Sequence, residues 1–182
     1  LNPSSAASDV YKRQVFEETK LDKDSQSVES WQTTQGGGYV AAGVGGGITG
    51  KGAHILLIDD PVKNREDAES ENSREATWDW YTSTAYTRLA PGGGILVILT
   101  RWHDDDLAGR LLMASENGAD DWEVVKYPAI AEEDEEFRNL GDSLHPERYN
   151  VESLEKIQKA IGPRDWSACL LYTSDAADDG LS

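Results

Sequence analysis

Two apolar runs stand out from an otherwise polar chain: His54-Ile-Leu-Leu-Ile-Asp59-Asp60-Pro61 and Ile95-Leu-Val-Ile-Leu-Thr100-Arg101-Trp102-His103. Aliphatic residues without alternation are the pattern of a strand covered on both faces, as in a parallel sheet. Between the runs, Trp78, Tyr81 and Ala85 recur at helical spacing, which predicts a helix capped by Asn64 or Asp67 and running to about Thr82, with these residues toward the sheet. Pro91-Gly-Gly-Gly94 predicts a turn into the second run. After it, Asp104 is the expected cap of a helix over 105–115, with Leu107, Leu111 and Leu112 on one stripe. The segment 122–127 reads as a further strand stopped by Pro128, and 151–161 as a short amphipathic helix ended by Gly162-Pro163. Upstream, 39–42 is a short strand candidate, and 15–35 is polar strand and loop around Trp31. Strands alternating with helices predict an α/β fold with a mostly parallel sheet.

The two ends do not share this logic. Residues 4–14, SSAASDVYKRQ, back-translate to a DNA whose reverse complement, read one base later, encodes CLLYTSDAAD, the sequence of residues 169–178. That DNA resembles a transposon-type sequencing-library adapter. Segments 1–14 and 169–182 are therefore expected to be non-native and are set aside from the fold. The only cysteine, Cys169, lies in the second of them.

The formal net charge is −17, and the balance stays strongly acidic without the two ends. A surface of that sign is a poor match for a phosphate backbone, which is bound by clustered Lys and Arg. With 182 residues, six Trp and 38% hydrophobic residues the chain suits one domain with a real core. No apolar run approaches the ~20 residues that span a bilayer, so no membrane partner is expected.

The chemistry gathers where the two runs end. Ligands of parallel sheets bind at the carboxyl ends of strands. There, Asp59 can hold a hydrated magnesium ion and Asp60 can polarise an attacking water, an arrangement suited to nucleotide hydrolysis. Aspartates at strand ends also serve as turn formers and caps, but two adjacent carboxylates repel each other unless a cation lies between them. Thr100 offers a hydroxyl that senses a γ-phosphate or the attacking water. Arg101 pairs either with the acids 104–106 or with a phosphate, and both readings stay open. Arg88 reads as a surface residue, Trp102 as core, and His103 as a hydrogen-bonded histidine, since no second His or Cys lies at ligand spacing.

A tempting motif fails on inspection. Gly45-Gly-Gly-Ile-Thr-Gly50-Lys51 fits GxxxxGK, but Gly52 stands where a magnesium-binding Ser or Thr belongs. A strand follows directly, whereas a phosphate loop opens a helix. A close-packed glycine turn is the better expectation.

Taken together, GVGGGITGKGAHILLIDDPVKN and WYTSTAYTRLAPGGGILVILTRWHDDDLAGRLL resemble the large terminase subunit of tailed bacteriophages, an ATP-driven DNA-packaging motor. The similarity continues through Trp122–Pro128 and Leu144–Tyr149 to Trp166-Ser-Ala168. The resemblance implies a partial P-loop NTPase of the additional-strand type, lacking its Walker A half. Residues 15–130 would be the C-terminal part of the ATPase domain, and 131–168 the connection toward a nuclease domain.

By the same resemblance, Asp59 and Asp60 occupy Walker B positions, Asp60 and Thr100 are the catalytic pair, and Asp59 and Arg101 bind the cofactors ATP and Mg²⁺, Asp59 through water. The implied partners are duplex DNA, the small terminase subunit and the portal protein. A homo-oligomeric ring in the cytoplasm of the bacterial host is the implied setting. A chain without the phosphate loop is expected to be inactive alone. A helicase-like nucleic-acid ATPase and a non-catalytic acidic interaction domain are the competing readings. Sequencing the source DNA outward from the codons of Val15 and Ala168 tests the adapter reading. It should reveal GxxxxGK[ST] upstream and spaced acidic strands downstream; start and stop codons bounding the present ends would overturn it.

Overall fold

A computed structural model describes residues 18–48 and 50–168, apart from the side chains of Gln26, Arg164, Ser167 and Ala168. The adapter-like ends lie outside the described residues. The chain divides into two compact units, one ending at Lys51 and the other beginning at Gly52.

The first unit is a three-stranded antiparallel sheet: β1 (Leu21–Gln26), β2 (Ser30–Thr33) and β3 (Gly38–Val40), in that order. Trp31 is its anchor, pairing across the strands with Tyr39 and stacking on it with ring centroids 5.3 Å apart. The β2–β3 turn is closed by Thr33, whose N–H donates to the Gly37 carbonyl at 2.7 Å and whose Oγ1 accepts the Gly37 N–H at 3.0 Å. Gly36 supplies the positive φ, 86°, that this turn needs. After β3, the Gly46 N–H donates to the Gly43 carbonyl and the Lys51 N–H to that of Ile48. The next element is a strand, so this segment is the expected glycine turn and opens no helix.

The second unit is built on two parallel strands, β4 (Ala53–Asp59) and β5 (Leu89–Ile98), in register from Ile55↔Gly94 to Asp59↔Ile98. The parallel pairing is as expected; two details of the strands are not. The expected turn at 91–94 lies inside β5, as a bulge between the Ala53↔Leu89 and Ile55↔Gly94 pairs. Gly93 makes the bulge possible, because a Cβ there would lie 2.8 Å from the His54 carbonyl oxygen. Nor are the strands covered on both faces. Ile58 is only 4% exposed, while Ile55, Leu57, Leu96 and Ile98 all lie open to solvent. In this two-stranded sheet of the described residues, the pleat sends alternate aliphatics to an open face.

The predicted single helix between the strands is divided. Asn64 caps α1 (Arg65–Glu69), its side chain accepting the Asp67 N–H, and Ser70 ends α1 and caps α2 (Glu71–Trp80). A π-helical turn, Tyr81–Ala85, and a 3₁₀ turn, Tyr86–Arg88, lead into β5. They bury Tyr81 and Ala85, and burial pushes the Tyr81 phenol up to about 12. After β5 comes α3 (Leu107–Glu116), capped by Asp106 rather than Asp104. Leu107 and Leu111 of the predicted stripe are buried.

The segment 122–127 forms no strand, and the following loop closes through an isolated antiparallel bridge, Ile130↔Ser143. The last helix, α4 (Val151–Ala168), breaks at Gly162, whose φ of 83° lies outside the helical range, and resumes at Pro163. Arg65 of α1 pairs with Asp165 of α4 at 2.7 Å.

Among the described residues the core is thin, and no large side chain is fully enclosed. Substitutions in neighbouring β4 residues should therefore differ sharply. Ile58→Ala should cost about 2–4 kcal/mol in urea unfolding, whereas Leu57→Ala, at 53% exposure, should cost under about 1 kcal/mol.

Candidate functional site at the ends of the parallel strands

The pair Asp59↔Ile98 leaves both strands ending at one level, so Asp60 and Thr100 emerge side by side. The Asp60 N–H donates to the Ile98 carbonyl at 2.9 Å, continuing the ladder one step past β4. Asp60 then turns into left-handed backbone at φ 41°, the only non-glycine with positive φ among the described residues. Aspartate enters that region at lower cost than most side chains. Its carboxylate Oδ1 accepts the Thr100 N–H at 3.3 Å.

Both residues line a shallow depression, together with Ala68, Arg74, Trp102 and Asp106. Of the residues singled out in the sequence, Asp60 and Thr100 are thus brought together. Asp59 lies outside the depression, exposed at the end of β4.

Arg101 is held by its own loop. Its Nε donates to Asp106 Oδ2 at 2.6 Å and its Nη2 to the Asp104 carbonyl at 3.3 Å. Asp106 is 6% exposed and caps α3 by accepting the Gly109 N–H at 2.9 Å. Burial raises its carboxyl above the usual range, opposed by that N–H and by Arg101. The loop lies so close to the first turn of α3 that a Cβ on Gly109 would collide with the Asp104 carbonyl.

Asp105 does something else. Arg110 clamps it from Nε at 2.8 Å and Nη2 at 2.9 Å, and Arg74 of α2 reaches it from Nε at 3.1 Å. Arg110 also joins Glu75 at 2.8 Å, and Arg74 donates to the Ala68 carbonyl at 2.7 Å. One carboxylate thereby ties the loop after β5 to α2 and α3. His103, read as hydrogen-bonded, accepts the Asp105 N–H at Nδ1, 3.0 Å away.

Arg74, Glu75, Arg110 and the separate duties of Asp105 and Asp106 carry almost no mark in the sequence. Arg74 sits among the acids of REDAESENSREATWDW, and nothing local marks it as the partner of a residue 31 positions on. The detectable signal was Asp106 followed three residues later by a glycine that opens a helix. Among the described residues, no three His, Cys, Asp or Glu side chains gather into a protein-only metal cage. No described helix is long and apolar enough to cross a membrane.

The family model described as terminase large subunit, T4likevirus-type, N-terminal matches residues 18–168. The chain belongs to that family. No curated protein and no solved structure matches it. The match spans both strand ends and the TRWHDDDL loop, so the depression lies within the part that is family-like, and membership carries a general role in viral DNA packaging.

The ion-pair network makes stability depend on acidity. Arg110 and Arg74 hold the Asp105 carboxyl down to about 2 from its ordinary 3.8, against the opposing effect of desolvation. A depressed carboxylate stabilises the fold above its unfolded pKa and loses that contribution as pH falls through the folded value. Wild-type stability should therefore decline between about pH 4 and 2. Asp105→Asn should lose about 1 kcal/mol at pH 7, a modest value because the side chain is 44% exposed, and should show a flatter acid limb in urea titrations.

Proposed function

We propose that the strand-end depression is the water-activating and coupling side of an ATP hydrolysis site in a DNA-packaging motor. The observation carrying this reading is the hydrogen bond from the Thr100 N–H to the Asp60 carboxylate, at the level where two parallel strands end. Asp60 orients and activates the attacking water. Its left-handed backbone and its bond to Thr100 fix the carboxylate in place. Thr100, on the adjacent strand, couples the state of the γ-phosphate to the loop that follows it.

Asp59 suits Mg²⁺, which takes one or two carboxylates and keeps several waters. It is exposed, anionic and adjacent to Asp60, with its remaining ligands to come from water and phosphate oxygens. When bound there, the ion would supply neutralisation of charge on the phosphates. Arg101 serves ATP by fixing the loop through Asp106.

The Walker A lysine, the nuclease acids, duplex DNA, the small terminase subunit, the portal protein, the homo-oligomeric ring and the host cytoplasm belong to this proposal through family membership. The chain contains no GxxxxGK[ST], so on this reading it turns over no ATP alone.

In the gene product extended upstream to include a phosphate loop, Asp60→Asn should lower ATP turnover by about 10²-fold or more with unchanged circular dichroism. Thr100→Ala should lower DNA translocation more than ATP turnover. Turnover unaffected by Asp60→Asn would sink the proposal in favour of a non-catalytic acidic domain.

A further inference from the structure

The loop spanning 129–144 is tightly built yet carries an apolar tip that its own fold does not use. Its base is closed by the Ile130↔Ser143 bridge, by the Ala131 N–H donating to the Asp142 carbonyl at 2.8 Å, and by the Leu144 N–H donating to that of Ala129 at 2.9 Å. Nearer the tip, the Leu140 N–H donates to Asp134 Oδ1 at 2.9 Å, and the Glu135 N–H to the Arg138 carbonyl at 2.8 Å.

Arg138 is the only cation of the loop, and it is turned inward at 9% exposure. It grips the Glu135 carboxylate from Nε at 2.6 Å and Nη2 at 2.7 Å, and donates through Nη1 to the Pro128 carbonyl at 2.7 Å. Phe137, next to it, is 90% exposed, and Leu140 is also open. Glu132, Glu133, Asp134, Glu135 and Glu136 are all exposed around them.

We propose that this loop is a docking knob for a protein partner whose surface offers an apolar socket rimmed by Lys and Arg, with Phe137 entering the socket. An aromatic anchor surrounded by charge is the anatomy of a protein-binding hot spot. A loop already fixed by hydrogen bonds loses little conformational freedom on docking. Charge selects among occupants. At this loop the acids 132–136 repel the same loop of a second copy and a nucleic-acid backbone, whereas a basic protein surface is attracted. No residue of the strand-end site takes part in this docking surface.

The test labels the chain with 4-fluorophenylalanine and titrates it with an amphipathic Leu/Lys helical peptide, its Leu/Glu counterpart, oligolysine and a duplex oligonucleotide. The Phe137 resonance is the one missing from Phe137→Leu. The Leu/Lys peptide should shift that resonance, and Phe137→Ala should weaken its binding at least tenfold with the fold intact by circular dichroism. Replacing Glu132, Glu133 and Glu136 together by Gln should weaken binding and flatten its salt dependence. Leu57→Ala, on the open sheet face, should leave affinity unchanged. Binding within twofold of wild type for Phe137→Ala, or equal affinity for oligolysine, would overturn the proposal. So would a Phe137 shift with the Leu/Glu peptide or the duplex, or Phe137-dependent self-association in sedimentation.

Discussion

The parallel register of β4 and β5 is the constraint on which the site depends. Pairing Asp59 with Ile98 sends both chains out of the sheet at the same height. The Asp60 N–H then completes one more step of the ladder to the Ile98 carbonyl, and the backbone turns left-handed. A slip of one residue would exchange the faces of the whole strand and separate Asp60 from Thr100. The bulge at Gly93 is part of the same constraint, because it absorbs the extra residues of β5 before the register is set.

The loop after β5 holds the other half of the arrangement. Three consecutive aspartates have three different duties. Asp104 offers its carbonyl to Arg101, Asp105 gathers Arg74 and Arg110, and Asp106 caps α3 while pairing with Arg101. The buried Arg101–Asp106 pair is not a strong source of net stability, since desolvating both charges offsets most of their attraction. Removing either partner would strand the other in a dry site, so the pair specifies the loop geometry. Asp105 extends this control to α2 and so connects the strand end with the helix that precedes β5.

The open side of the sheet presents the opposite condition. Ile55, Leu57, Leu96 and Ile98 form a contiguous aliphatic face in water, opposite the face that buries Ile58. Their cross-strand contacts still support the parallel pair, but they add little burial. The second unit therefore draws its cohesion from one covered face, from the ion pairs of α2 and α3, and from the burial of Ala131, Leu154 and Trp166.

By itself the sequence determined the two aliphatic strands, the acids and threonine at their ends, the narrowing of the cap to Asn64 or Asp67, an interruption of the last helix at Gly162, though not its resumption to Ala168, and the failure of Gly45–Lys51 as a phosphate loop. Each rests on residues adjacent in the chain, where backbone preference and periodicity act directly. Only tertiary structure decided the rest. Whether an aliphatic run is covered on one face or two depends on what packs against it, which no local pattern encodes. Segment 122–127 has the composition of a strand, but a strand forms only when a neighbour pairs with it. Likewise, Asp106 rather than Asp104 became the cap because the close approach at Gly109 and the guanidinium of Arg101 fixed the chain there, and Arg74 met Asp105 only because the fold brought α2 beside α3.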